Sequence, residues 1–250
     1  MPSKISCPTF RFVLAIKLPK GIVDAFYDFN WDASAQSIRR AISLQPTDAS
    51  SHLWYAWNLM LTGHPDEAVA EAQAAHEIDP LSVFIEVGLG QMYYFAGRPE
   101  EAVRRLEDSV RTSPKFFNAR YYLGVAYLHA NRTADAIREL EAAVKLDAQQ
   151  PQPVAYLVYA HAMNGAPAAA RLRFDELTRL SESRYVSRYL FAVANVGLRR
   201  HEQAIQSLNQ AYEDRDDMLA VLGVDKTLDS LQKDPRVATL LTLIGVATRR

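Results

Sequence analysis

The sequence has almost no cysteine and no excess charge of either sign. Cys7 is the only cysteine in 250 residues. One thiol excludes an intramolecular disulfide and a cysteine-built metal cluster, and it fits a reducing compartment. Charge of one sign is also missing. With 28 basic and 29 acidic residues the formal net charge is −1, which gives no electrostatic case for nucleic acid or anionic lipid. No apolar run approaches the ~20 residues that a membrane-spanning helix needs. Phe10 to Leu18 is apolar but interrupted by Arg11 and Lys17, without the clean apolar stretch and small-residue cleavage site of a secretory signal. A cytoplasmic protein is expected.

Chemistry-bearing patterns are scarce as well. His52, His64, His76, His129, His161 and His201 show no metal-binding spacing such as His-Glu-x-x-His. His129 and His161, about one repeat apart, are the pair that could approach each other. There is no Gly-rich phosphate loop, kinase catalytic-loop pattern or basic recognition helix. Cys7 has no histidine nearby in sequence. Asp66–Glu67 and Glu100–Glu101 fit the first turns of helices, where acids suit the dipole. Asn131–Arg132–Thr133 matches a glycosylation sequon, but a turn role for Asn131 accounts for it. No enzyme, cofactor or metal is expected.

What the chain does have is a period. Ser34, Ala68, Ala102, Ala136, Ala170 and Ala204 recur every 34 residues. Pro65, Pro99 and Pro167 stand three residues before three of them, where proline opens a helix without losing a hydrogen bond. Gly63, Gly97, Asn131 and Gly165 mark turns that ask for left-handed backbone. Units begin at Ala49, Val83, Phe117, Pro151 and Tyr185, and each carries two helices of about a dozen residues. The apolar fraction, 49%, is ample for a core. An all-α solenoid of about six helix pairs follows. Small residues such as Gly124 and Ala136 are expected to face each other across a pair. The division is 1–19 non-repeat, 20–215 array, and 216–250 a turn followed by a capping helix. That helix should run from Pro235 to Ala247, with Val237, Leu240, Leu241 and Ile244 on its apolar side.

Leu89, Gly90, Tyr93, Ala102, Leu106 and Pro114, then Leu123, Gly124, Tyr127, Ala136, Leu140 and Ala143, resemble the tetratricopeptide repeat. The resemblance covers about Gly21 to Arg215 and implies protein or peptide binding. A narrower likeness lies in Phe26–Asp32, His52–Trp57, Asp79–Ser82, Arg184–Ser187 and the tail with Asp225, Leu231, Asp234–Pro235–Arg236 and Leu240–Leu241. These phrases resemble the C-terminal repeat module of bacterial signalling and transcriptional regulators. There the partner domain is often a winged-helix, kinase or cyclase domain, none of which is present. The resemblance implies a truncated or freestanding version of the module.

The family's register puts the first helix of each unit on the inner face. By that register the candidate protein- or peptide-binding residues are Leu53, Trp57, Tyr94, Tyr121, Val125, His129, Tyr159 and Tyr189. Such an aromatic, apolar lining is expected to recognise a protein segment. The alternative is that curvature or the N-terminal segment buries these side chains. The family's carboxylate clamp is disfavoured, because Leu53, Trp57, Val87, Tyr121 and Val125 stand where its polar groups belong. The expected partner is a protein or peptide, with no direct nucleic acid and no membrane. Two alternatives remain: a regulatory part of a larger transcription factor, kinase or cyclase, and a homo-oligomer formed through Ile22, Phe26 and Phe29 of the first unit.

Overall fold

The computed structural model describes residues 28–247. Twelve α-helices and two 3-10 helices make up the described residues, with no strand among them. In order they are α1 (Trp31–Leu44), α2 (Ala49–Leu61), α3 (Pro65–Ile78), α4 (Val83–Phe95), α5 (Pro99–Thr112), α6 (Phe117–His129), α7 (Thr133–Leu146), α8 (Pro151–Met163), α9 (Pro167–Ser183), α10 (Arg188–Gly197) and α11 (His201–Glu213). The 3-10 helices Asp217–Gly223 and Lys226–Leu231 and then α12 (Pro235–Ile244) follow. Within the array each helix from α1 to α9 packs on its sequence neighbours, as α10 does on α11, and α2, α4, α6, α8 and α10 also pack on one another in series. That is a solenoid whose inner row is the first helix of each pair. The segment 1–19, and with it Ile22 and Phe26, lies outside the described residues.

The period is written into the backbone. Positive φ occurs at Phe29, Gly63, Gly97, Asn131, Gly165 and Arg199, each 34 residues after the last. At five of these the chain leaves a first helix through paired bonds. After α6, for example, Asn131 N–H donates to Leu128 O and Arg132 N–H to Tyr127 O, at 3.1 and 2.8 Å. This satisfies carbonyls that a helix end would otherwise leave bare. Phe29 and Arg199 adopt the conformation without being residues that favour it, so inspection for glycine or asparagine passes over them.

Side-chain crossbars repeat as well. His52–Glu71 (2.8 Å), Glu86–Arg105 (3.4 Å) and Arg120–Glu139 (2.7 Å) tie the two helices of successive pairs at equivalent positions, with the sign of the partners changing. Tyr93–Gln73 and Tyr127–Glu107 form a second such series, and His161–Glu141 at 3.7 Å continues it. His161 is thus engaged by Glu141, while His129 turns to another partner on the inner face. Among the described residues no group of three His, Cys, Asp or Glu side chains is arranged to hold a metal. No helix among them is long and apolar enough to cross a membrane.

Two expectations need correction. A Cβ on Gly124 would come within 2.6 Å of Leu140 Cγ. The glycine therefore admits Leu140, one turn beyond Ala136, and Gly90 admits Leu106 at the equivalent position. The last pair is also shifted. Glu182 stands where Pro46, Pro80 and Pro114 follow earlier units, and α9 runs on to Ser183; proline alone does not set the stop, because α7 ends at Leu146 with Ala148 at the same position. α10 then begins at Arg188 rather than Tyr185 and spans only 10 residues.

Candidate functional site: an inner face closed by the C-terminal segment

Six of the eight inner-face candidates are buried: Leu53, Tyr94, Tyr121, Val125, His129 and Tyr189 are each 5% exposed or less. Trp57 and Tyr159 are half-buried. The face is therefore closed rather than open, and neighbouring inner helices account for part of that. Leu53 points into the space that Gly88 of α4 leaves free. Tyr94 meets the ring of His129 at 4.8 Å, Tyr121 that of Tyr156 at 5.8 Å, and Trp57 that of Phe95 at 5.6 Å. The chain's own 3-10 helices also lie against this row, the first packing on α2 and the second on α6 and α10.

Asp225 is the centre of this cover. It is 1% exposed and caps the second 3-10 helix, its Oδ1 accepting from Thr227 N at 2.9 Å and Thr227 Oγ1 at 2.7 Å. Its Oδ2 accepts from the hydroxyls of Tyr156 (2.7 Å) and Tyr189 (2.9 Å), on α8 and α10. His129 Nε2 lies 3.6 Å from Oδ1. Burial pushes the Asp225 carboxyl upward, but His129, Tyr156 and Thr227 together hold it at about 2. The price appears on the phenols: burial raises Tyr156 and Tyr189 well above their ordinary value. Next to it, Lys226 Nζ donates to His129 O at 2.9 Å, placing a cation on the C-terminal end of α6, where the helix dipole favours one.

Asp216 repeats the arrangement nine residues earlier. It is 2% exposed and caps the first 3-10 helix through Met218 N at 3.1 Å. Its other oxygen accepts from Ser187 Oγ at 2.6 Å and Tyr189 N at 3.4 Å. One carboxylate thus serves the start of α10 and the start of the 3-10 turn together. Burial raises Asp216, and the bonds from Ser187, Tyr189 and Met218 oppose that rise.

The segment then continues over the last pair. α12 packs on α11, and Arg236 grips Glu202 with two bonds of 2.9 Å. This is the terminal cap the array requires. α12 ends in left-handed Gly245, three residues short of the sequence expectation. Trp31 Nε1 donates to Ile244 O at 2.7 Å, and Ala247 N–H to Leu61 O at 2.9 Å. The cap of the last pair therefore also touches the first two described helices, α1 and α2.

Sequence reasoning found the inner row but missed Tyr156, Asp216, Thr227 and Lys226, and noted Asp225 only as part of a family phrase. The available signal was two aspartates, each followed by short apolar turns, Asp216 before Met218–Leu219 and Asp225 before Thr227–Leu228. Aspartate ahead of such a turn is a helix-start pattern.

These features define a class: an α-solenoid of helix pairs with a 34-residue period, whose concave row holds a peptide segment. The sequence profile of the tetratricopeptide repeat matches residues 23–83 and 87–151, half of the chain. The chain belongs to the tetratricopeptide repeat family. No protein of curated function matches it. Among solved structures it is similar to a crystal structure of MamA, at 17% identity and TM-score 0.53, covering 67% of this chain and 98% of that one. MamA (41-end) from Desulfovibrio magneticus RS-1 shares 17% identity at TM-score 0.54, with 65% and 92% covered. MamA AMB-1 shares 21% identity at TM-score 0.51, with 66% and 97% covered. At such identities the likeness is one of fold.

Proposed function

We propose that the chain is a non-catalytic protein-interaction module whose inner face takes a protein segment, and that its own C-terminal segment keeps this face closed. The observation that carries this reading is the seat of Asp225. Tyr156, Tyr189 and His129, from three different inner helices, converge on one short non-helical-period segment. An array that uses its concave row in this way has the chemistry to hold a similar segment from a partner. Tyr94, Tyr121, Val125 and Leu53 then shape the face from beneath, while half-buried Trp57 and Tyr159 remain for direct contact. The likeness to modules of bacterial regulators supports a regulatory setting in the cytoplasm, where closure and opening of the face would be the controlled step.

Affinity capture from native cells tests this with Trp57→Ala and Tyr159→Ala combined. Loss of captured protein with unchanged helix content and melting is the expected result. Capture that survives intact in a folded variant overturns the reading.

Self-association is the second reading, and a specific observation favours it. Leu44 and Leu81, at the ends of α1 and just after α3, are 78% and 95% exposed. Both sit at the same end of successive helix pairs, where apolar side chains find no cover within the described residues. Light scattering over a concentration series on wild type and on Leu44→Ser with Leu81→Ser measures it. A mass that is monomeric throughout removes this reading.

A further inference from the structure

The segment 217–231 buries Leu219, Leu222, Leu228 and Leu231 in the core and still leaves room beside itself. Val224 borders a cleft of about 540 Å³ with Met60, His64 and Phe95. Lys226 borders another of about 520 Å³ with His129, Tyr159 and Met163. Asp225 stands between Val224 and Lys226 in the sequence. The segment's 3-10 turns have poorer hydrogen-bond geometry than α-helix. The inner face is also incompletely satisfied: both ring nitrogens of His129 and the Oε1 of Gln152 are buried without a hydrogen bond. At 3.6 Å the His129–Asp225 contact is beyond hydrogen-bond length. A buried polar group left in this state is unfavourable, so an occupant that bonded His129 would fit better than the present one.

We propose that the inner face recognises a protein segment presenting an internal aspartate at the start of a one-turn helix, and that residues 217–231 are its tethered competitor. This rests on the protein-interaction reading and names the chemistry of the partner. The carboxylate would take the two phenolic donors of Tyr156 and Tyr189 and the ring N–H of His129. An apolar residue before it would fill the place of Val224, and a hydroxyl residue two positions later would close the turn as Thr227 does. The requirement is a side-chain carboxylate with peptide on both sides, which distinguishes this site from one that clamps a chain terminus. Tethering makes the competition steep, because a linked occupant acts at a high effective concentration. A foreign segment therefore has to bind better than 217–231 or arrive when that segment is loosened.

The probe is a labelled peptide with the sequence of residues 216–231, added to the full chain. It is expected to bind Asp225→Ala chain at least tenfold more tightly than wild type, whose face is occupied. The same peptide carrying alanine in place of Asp225 is expected to bind at least tenfold more weakly. Equal binding to both chains, or binding indifferent to that carboxylate, overturns the proposal. A second measurement decides the matter if Asp225→Ala does not fold. Lys226→Ala removes the bond to His129 O and loosens the segment; this chain should bind the peptide at least tenfold more tightly than wild type, and equal binding overturns the proposal. If partner capture still depends on Trp57 and Tyr159 when these tests fail, only the aspartate chemistry falls and the interaction reading stands.

Discussion

The array from α2 to α11 and the segment from Asp216 to Ala247 are held by different physics. In the array, left-handed exits recur at every unit, small-residue contacts and crossbars recur across several, and most helices meet their neighbours in sequence. Removing one contact leaves the equivalent contacts of other units in place. The segment has no period. It shares the apolar core, with Leu219, Leu222, Leu228, Val237 and Ile244 fully buried, and its position is set by two buried aspartates, one lysine on a helix end and the bonds at Ile244 O and Leu61 O. Apolar burial is non-directional and spread over many residues, whereas the aspartate seats are directional and few. Those seats should therefore be where single changes disturb the segment most.

The largest expected effect tests the array. Leu140→Ala empties the space that Gly124 provides and should cost about 2–5 kcal/mol, read as a shift of the denaturation midpoint. Gly197→Ala attacks the same region from the opposite direction. Its Cβ would fall 2.6 Å from Tyr159 Cα, and because backbone cannot swing aside, a loss of about 1–3 kcal/mol is expected. The comparison breaks if either change leaves global stability untouched.

Asp225→Ala is the complementary test. It leaves the hydroxyls of Tyr156 and Tyr189 without their acceptor, at about 1–3 kcal/mol for each group so exposed to burial without a partner. The loss should be local. Amide exchange should rise across 217–247 while α4 to α8 keep their protection. Equal loss in both regions would show that the segment and the array unfold as one unit.

Acid sharpens the same distinction. Asp225 is held at about 2 in the fold, against ~3.9 for an unperturbed aspartate. A carboxylate lowered by folding contributes its stability fully above its unfolded value and loses it as pH falls through the folded one. The contribution is thus complete above about pH 4 and lost towards pH 2. Asp216 has the opposite sign: its raised value means that protonation favours the fold as pH falls towards the unfolded range. Asp225→Asn should flatten the stability profile between about pH 4 and 2, and Asp216→Asn should not. Urea titrations across that interval measure both.

The smallest expected effect is a gain. Arg199 has φ 58° at the position where three other units carry glycine. Arg199→Gly relieves a left-handed arginine and should stabilise by up to about 1 kcal/mol. A loss instead would mean that the Arg199 side chain matters more than its backbone.

Much of this was legible in the sequence because the array is local. A 34-residue recurrence of Ala102, Ala136 and Ala170, with Pro99 and Pro167 at helix starts, fixes where helices begin and which faces they bury. The start of α10 escaped because α9 runs on to Ser183 and α10 begins only at Arg188, outside the 34-residue register. The buried state of the inner row escaped for a different reason. Tyr94, His129 and Tyr189 look the same in sequence whether a partner or the chain itself lies over them.

The sequence by itself determined the solenoid, its period and the inner row, since those follow from side-chain spacing along single helices. Only the tertiary structure decided that Asp225, far along the chain, would meet Tyr156 and Tyr189, and that Ala247 would reach Leu61. Those contacts join residues with no shared periodicity. They exist because one superhelical array brings its concave face within reach of its own C-terminal segment.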